Sequence, residues 1–458
     1  MIAGMTKSTQ AVVIGASMAG LLAARALSET FDRVVVVERD VLPDDASDRR
    51  GVPQGKHLHG LLAGGLIALN TLFPGFDADL LAAGAVQGDI QSNIHWWVEG
   101  RLVKPEPSGI MGISCPRRLL EHTVRQRVRA LPNVQIVDSC DALGLITTVD
   151  RHTVTGLRIL SRADSSAAGE LSADLVIDAA GRGSQSQRWL EELHYPPVEE
   201  TRIPIDITYV TKLYSRERGE LDGRAGTSVS AFPGLPTGAF LLAQEKDKFI
   251  LTLTGIYGEV PPMDDDGIAE YVARMPARDI SEFLRTATPI SGPLKTHYRA
   301  SVRKHYERLT RFPAGYIVTG DALCSFDPVF AQGMSVAAAE AVLLRDLLLA
   351  DSSNLATDFF AEAAKIIDAP WMIAANADLR FPEAQVAQTS KGRAANEFLS
   401  LVYRAASVDA AIATAFMRVL NLLESPQRLQ EPAMVARVME VIAGNDMGAS
   451  IPVQVGEP

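Results

Sequence analysis

Residues 10–38 run through a strand, a glycine-bearing turn, a helix and a second strand that ends on an acid. Gln10-Ala11-Val12-Val13-Ile14 is short, continuous and β-branched, as expected of a parallel strand buried on both faces. Gly15-Ala16-Ser17-Met18-Ala19-Gly20 forms the turn, Leu21 to Leu27 continues as helix, and Val34-Val35-Val36-Val37 closes at Glu38. Such a βαβ order commits the chain to an α/β architecture, because parallel neighbours need a crossover connection. The turn aims backbone N–H groups at a diphosphate, and an acid about 20 residues beyond the glycines is where a ribose hydroxyl is read. Gly15, Ser17, Ala19, Gly20, Glu38 and the adjoining Arg39 are the expected contributors. Ser17 stands where this pattern has its second glycine, so its side chain is expected to turn away from the phosphates. A Rossmann-like turn that binds nothing is the alternative.

Bulk properties narrow the field. The 458 residues suffice for two or three domains, and 47% hydrophobic with 22% charged residues is ordinary for a globular chain. A net charge of −11 gives no electrostatic case for nucleic acid or anionic lipid. Cys115, Cys140 and Cys324 are too few and too scattered for a disulfide framework or a zinc site, and no metal is expected. That usage, a start without a secretory pattern and the lack of a membrane-length apolar run lead to the expectation of a cytoplasmic protein.

A second constellation lies further on. Val318-Thr319-Gly320-Asp321-Ala322 is followed by Asp327-Pro328 and by Gln332-Gly333-Met334-Ser335, which opens an Ala-rich helix. This order sets a carboxylate beside a helix N-terminus, where free N–H groups and the dipole favour negative charge. Between the two constellations lie the basic pair Arg49-Arg50 in a loop, and Arg117 at the head of a helix running to about Leu131. Guanidinium groups suit a dianionic pyrophosphate. Residues 173–184 form another strand-then-glycine segment, ending Gly181-Arg182-Gly183-Ser184. His57 and His59 follow the basic loop and are read as loop histidines without a catalytic task.

These motifs together resemble the group A FAD-dependent monooxygenases over about residues 9–440. The Gly-Asp, Pro and Gly-Met elements at 320–334 resemble that family's second flavin-contacting motif, which implies cofactor contacts for Asp321, Pro328, Gly333 and Met334. The resemblance implies FAD contacts for Arg49 and its neighbour Arg50, and a reach from Arg117 to the ribose and phosphates. In the 173–184 segment the usual acid before the glycine is replaced by Ala180, so Asp178 is given no family role; Arg188 matches the closing arginine, with a salt bridge as its alternative. Arg-Gly-Val-Pro-Gln at 50–54 and Asp-Pro-Val-Phe at 327–330 are similar to the polyether-type, squalene-epoxidase-like enzymes.

The family's activity then follows as an expectation. NAD(P)H, a transient electron donor, reduces FAD; O₂ is the co-substrate; a flavin C4a-hydroperoxide epoxidises or hydroxylates an apolar polyketide, polyene or aromatic small molecule. The cofactor carries the chemistry, so no catalytic side chain is required. Trp96, Trp97, Tyr209, Phe240, Tyr257 and Phe330 are candidates for the substrate pocket, although each residue type is more often core. A double-bond reductase, a halogenase and a flavin-less lipid chaperone share the expected fold. A halogenase would want a Trp-x-Trp-x-Ile-Pro segment, which Trp96-Trp97-Val98 does not supply. Delivery of reduced flavin by a partner reductase stays open, as does the oligomeric state.

The expected architecture is an α/β fold: a Rossmann-like FAD-binding domain of glutathione-reductase type, an antiparallel β-sheet substrate domain and a C-terminal helical region. The FAD domain is discontinuous, at 8–88, 112–197 and 296–350. Residues 89–111 and 198–295 make the substrate domain, with a hairpin at 93–103 and paired strands flanking the polar turn at 245–248. Asp264-Asp265-Asp266 is read as a helix cap. Residues 351–446 are helical, with stretches at 355–369, 396–423 and 432–443, and 447–458 form a fraying tail.

Overall fold

A computed structural model describes residues 9–163, 168–217, 219–245, 247–384, 386 and 388–446. The expected tail at 447–458 and Lys246 of the polar turn lie outside these residues.

The βαβ unit sits at the centre of a five-stranded parallel sheet. Its order is Tyr316–Val318, Leu175–Asp178, Gln10–Ile14, Arg33–Val37, Val134–Val137. Three distant stretches of chain thus meet edge to edge. Ala11 to Ile14 and Val34 to Val37 are buried throughout, which is why these strands read as unbroken apolar runs rather than as alternation. Each fully buried valine or leucine contributes roughly 1.5–3 kcal/mol. Helices Met18–Leu27 and Arg117–Arg129 pack on this sheet, and helix Gly333–Leu349 packs against Met18–Leu27. An antiparallel meander of Cys140–Thr147, Val154–Ser161 and Ala168–Ser172 carries the chain from one edge of this sheet to strand Leu175–Asp178 on the far side of Gln10–Ile14.

The second sheet has eight strands, in the order Cys324–Ser325, Leu294–Lys304, Glu200–Ser215, Lys248–Ile256, Thr237–Glu245, Gly226–Val229, Ile94–Val98, Arg101–Leu102. Neighbours are antiparallel except Gly226–Val229 against Ile94–Val98, because the hairpin arrives from a different part of the chain. Glu99 and Gly100 turn that hairpin with φ of 48° and 72°. The two-residue strand Cys324–Ser325 directly follows the Gly320 turn, so it hooks the second sheet onto the end of the first.

The C-terminal helices differ in detail from the sequence expectation. The helix expected at 355–369 runs through a buried Pro370 to Asp378. The stretch at 396–423 is two helices, Ser390–Ala406 and Ala410–Leu420. Asp409 makes the break: its carboxylate accepts from Ile412 N at 3.0 Å, and Arg437 binds it at 2.8 Å. Asp264 caps helix Asp265–Ala273 by accepting from Gly267 N. Val402, Ile412, Phe416 and Met417 close a core with Ile90, Val103 and Ile110, clamping the helical region on the hairpin. Among the described residues no helix is long and apolar enough to cross a membrane.

At Gly20 the first glycine turn has no room for a side chain. A Cβ at Gly20 would stand 1.8 Å from the Gly15 carbonyl oxygen, whereas one at Gly183 meets nothing within 4 Å. Gly20→Ala is therefore expected to lower stability by ~1–3 kcal/mol, and Gly183→Ala to stay within about 0.5 kcal/mol of wild type. Denaturant midpoints check both, and equal midpoints for the pair would contradict the packing at Gly20.

Candidate functional site

The glycine turn closes on a network of buried charges. Gly15 has φ of 97°, and its N–H donates to Val37 O at 2.8 Å. Glu38, at the end of the second strand, accepts from Ala16 N at 2.7 Å and Asp40 N at 3.0 Å. Arg49 reaches the same place from the following loop. Its Nη1 lies 3.2 Å from Glu38 and 3.4 Å from Asp40, and its Nε donates to Glu121 at 2.8 Å. Burial opposes the Arg49 charge, but Glu121, Glu38 and Asp40 hold it above its ordinary value. The Ser17 side chain turns onto Glu121, donating at 3.0 Å, and accepts from Arg117 Nη2 at 2.9 Å. Arg117 and Arg125 stand 3.2 and 3.6 Å from Glu121. Burial would raise the Glu121 carboxyl, yet Arg117 and then Arg49 keep it below the usual carboxylate range.

Ala19 meets the second motif directly: a Cβ at Gly320, whose φ is 64°, would lie 2.5 Å from its Cβ. Asp321 follows, exposed to solvent. A Cβ built at Gly333 falls 3.6 Å from Asp321 Oδ1, and one at Gly181 falls 3.8 Å from Asp321 Cβ. The carboxylate therefore stands at the start of helix Gly333–Leu349. Surrounding protein mass raises its pKa, against Arg182 and Arg117. Pro328 opens a short 3₁₀ turn, and buried Met334 begins the helix packing. Glu340, two turns into that helix, accepts from Thr319 Oγ1 at 2.6 Å and Gly320 N at 2.7 Å. Burial pushes Glu340 up to about 7, although both donors pull it down. Both polar ends of the Gln332 amide are buried without a partner among the described residues.

Beyond the Pro328 turn lies a cavity of about 620 Å³ between the second sheet and the C-terminal helices. Trp96, Tyr209, Phe240 and Phe330 line it, as does His59. Trp97 does not: neighbouring strand residues point to opposite faces, and Trp97 packs against the core of Tyr214 and Val229. Tyr257 also stands behind the wall, donating to Pro204 O at 3.1 Å and Asp378 O at 3.3 Å. Burial depresses His59 to about 4, so it is neutral at pH 7, and His57 bonds Thr211 Oγ1 at 2.9 Å. Neither has the partner set of a general base.

Of the expected residues, Gly15, Ser17, Ala19, Gly20, Glu38, Arg49, Arg117, Asp321 and Gly333 come together, while Arg39 and Arg50 are exposed. Arg188 pairs with Glu192 at 3.4 Å on the surface, its salt-bridge alternative. Asp178 is a buried anchor, accepting from Ser184 Oγ at 2.7 Å and Ser186 Oγ at 2.5 Å. Sequence reasoning missed Asp40, Glu121, Arg125, Gln332, Glu340 and Asp378 as site residues. Only Glu121 had a local signal, four residues after Arg117 on one helix face.

No family model matches the chain. It is 32% identical over 455 residues to Protein Rv3254 of Mycobacterium tuberculosis, covering 94% of this chain and 93% of that one. A flavoprotein/dehydrogenase from Cytophaga hutchinsonii superposes with a TM-score of 0.68 at 15% identity, over 96% of this chain and 100% of its own. The p-nitrophenol 4-monooxygenase PnpA from Pseudomonas putida gives 0.63 at 16%, over 91% and 99%. The flavin-dependent brominase Bmp2 gives 0.61 at 14%, over 96% and 100%. The fold is that of these flavoproteins.

Two outcomes follow from the buried charges. Glu121→Ala leaves Arg49, Arg117 and Arg125 without their shared acid and is expected to cost ~3–5 kcal/mol in denaturant unfolding; a loss below about 1 kcal/mol would mean the network contributes little. Stability linked to the Glu340 proton is present below its ordinary value of 4.5 and is lost as pH rises to about 7. Glu340→Gln should therefore reduce the fall in stability between pH 5 and pH 8 by on the order of 2 kcal/mol. Parallel pH curves for the two proteins would contradict this.

Proposed function

We propose that this chain, which belongs to the family of Protein Rv3254, is an FAD-dependent monooxygenase that uses an NAD(P)H-derived electron pair and O₂ to oxygenate an apolar small molecule. One observation carries the reading: the glycine turn, the Arg49 and Arg117 guanidinium groups and the Asp321 helix start come together, and the Pro328 turn a few residues on lines a largely apolar cavity. The monooxygenase PnpA, with the same fold, adds support.

The residues suit FAD. Gly15 and Gly20 keep the turn bare of side chains, as close approach of a pyrophosphate requires. Arg117 supplies a buried Nε without a partner among the described residues, and Arg49 supplies charge. Glu38 would meet the ribose end, and Asp321 the ribityl hydroxyls. Arg39, Arg50, Pro328 and Met334 remain proposed contacts at the margins of this site. Bound FAD would supply O₂ activation and delivery of one oxygen atom. The chain's own part is positional. The N–H groups at the start of helix Gly333–Leu349 face developing negative charge. Trp96, Phe240 and Phe330 exclude water and hold the substrate's apolar surface. Epoxidation or hydroxylation of an electron-rich carbon is the reaction class proposed; the structural neighbours do not favour the polyether-type enzymes over others.

Purified protein given FAD and desalted should keep bound-flavin absorbance, consume NAD(P)H faster with a fitting substrate, and carry ¹⁸O from labelled O₂ into product. A colourless protein would leave the lipid-chaperone reading standing, and reduced product without label the reductase reading. Asp321→Ala and Arg49→Ala should each weaken FAD binding roughly 10–100-fold, the scale of a lost charge-assisted hydrogen bond. Unchanged dissociation constants in folded variants would refute those roles.

A further inference from the structure

Three elements bring polar groups to one part of the cavity wall. Glu99 comes from the hairpin turn, Arg380 follows helix Leu355–Asp378, and Tyr403 lies on helix Ser390–Ala406; all three line the space. Asn396, Leu399 and Tyr403 recur at helical spacing, so one face of that helix looks inward. Arg380 donates through Nη2 to Glu99 Oε1 and, at 3.3 Å, to Ser400 Oγ. Ser400 Oγ lies 3.0 Å from the same Glu99 oxygen. The Arg380 and Glu99 side chains each keep 19% exposure, so the pair is not shut away.

This arrangement commits only one nitrogen of the guanidinium. Arg380 Nε and Nη1 have no partner among the described residues, and neither is sealed from open space as Arg117 Nε and Arg125 Nε are. The Tyr403 hydroxyl is alike in both respects, while its ring stands edge-on to Phe416 at 5.2 Å. Burial keeps that hydroxyl protonated, with Arg380 and Glu99 near enough to act on it in opposite senses. Elsewhere in the wall polar groups are taken. Asp327 is hydrogen-bonded to Asp378, Asp89 accepts from the N–H groups of Ser92, Ser108 and Gly109, and Trp96 Nε1 donates to Ile90 O.

Arg380 and Tyr403 thus have donors to spare beside a largely apolar space. Donors from two elements suit a single oxygen with two lone pairs in one plane, which is a carbonyl. A carboxylate suits them less, because Glu99 already neutralises Arg380 and would repel it. A hydrocarbon displaces water from these donors and gives nothing back.

We infer that Arg380 and Tyr403 form the polar subsite of the cavity, donating to an uncharged carbonyl oxygen of a ligand whose apolar body lies against Trp96, Leu399 and Phe416. Glu99 is a positioning residue, which holds the guanidinium. To call this ligand the substrate rests on the monooxygenase reading; the recognition itself does not. The subsite narrows the substrate class from any apolar molecule to ketones, quinones and esters with a large hydrocarbon body.

Equilibrium dialysis of 1-acetylpyrene, 1-ethylpyrene and pyrene-1-carboxylate against the full-length, FAD-supplemented protein tests this, with bound-flavin absorbance recorded on the same sample. The ketone is expected to bind roughly tenfold tighter than either of the others. Tyr403→Phe should weaken the ketone by roughly three- to tenfold and leave 1-ethylpyrene unchanged. Its denaturant midpoint should match wild type, because that hydroxyl has no protein partner to lose. Glu99→Gln/Arg380→Met, which removes the pair without stranding a charge, should bring ketone and hydrocarbon within about threefold. Infrared difference spectra give a direct readout: the C=O stretch of the bound ketone falls in the wild type and recovers in the double variant. Equal affinities for ketone and hydrocarbon, tighter binding of the carboxylate, no binding of any probe, or a ketone preference that survives Tyr403→Phe undiminished would overturn the inference. The wild type and Tyr403→Phe decide even where the double variant does not fold. A ketone preference without bound flavin sinks the monooxygenase reading and keeps the subsite; bound flavin without that preference does the reverse.

Discussion

Glu121 is the interaction on which the glycine-turn end of the molecule depends. One buried carboxylate meets Ser17 from the glycine turn, Arg49 from the basic loop, and Arg117 and Arg125 from its own helix. Three cations and one hydroxyl converge there because none can be buried alone at tolerable cost. The network therefore locks three sequence-distant segments into one wall. It also fixes guanidinium groups beside a turn whose backbone is bare, which is the physical requirement for holding a diphosphate. Substitutions for the acid act first on stability and only through it on binding.

A second acid ties this wall to the cavity. Glu340 grips Thr319 and Gly320 from inside the helix that starts at Gly333, while Gly320 packs on Ala19. The Asp321 carboxylate is thereby held between the first helix and the helix start rather than carried on a free loop. The strand Cys324–Ser325 then leads straight to Asp327 and the Pro328 turn, so Asp321 and the cavity are separated by only a few residues of chain. A ligand held beside Asp321 and an apolar ligand in the cavity would be neighbours by covalent connectivity, before any packing is considered.

The cavity's wall is shared by parts with different sequence logic. The eight-stranded sheet supplies alternate residues, so Trp96 faces the space and Trp97 the core behind. The helical region supplies the opposite wall, with the buried Asp378 at the end of helix Leu355–Asp378. A buried acid at a helix end looks, in sequence, like any helix-terminal aspartate. Its meaning comes from Asp327, some fifty positions earlier.

By itself the sequence determined the α/β class, the glycine turn with its acid, and the Gly-Asp and Gly-Met elements, because these are local: the spacing of a few residues dictates a backbone path and a charge at a fixed place along it. It also pointed to Arg49 and Arg117, through the family resemblance and the fit of guanidinium groups to a dianionic pyrophosphate. It did not reveal which way Ser17, Trp97 or Tyr257 point, where the C-terminal helices break, or that Glu121, Glu340 and Asp378 matter. Those depend on contacts between residues from 4 to more than 100 positions apart, and the energy of a buried charge is set by what surrounds it in space. Only the tertiary structure decides that a carboxylate on one helix has three arginines for neighbours and another has a second carboxylate.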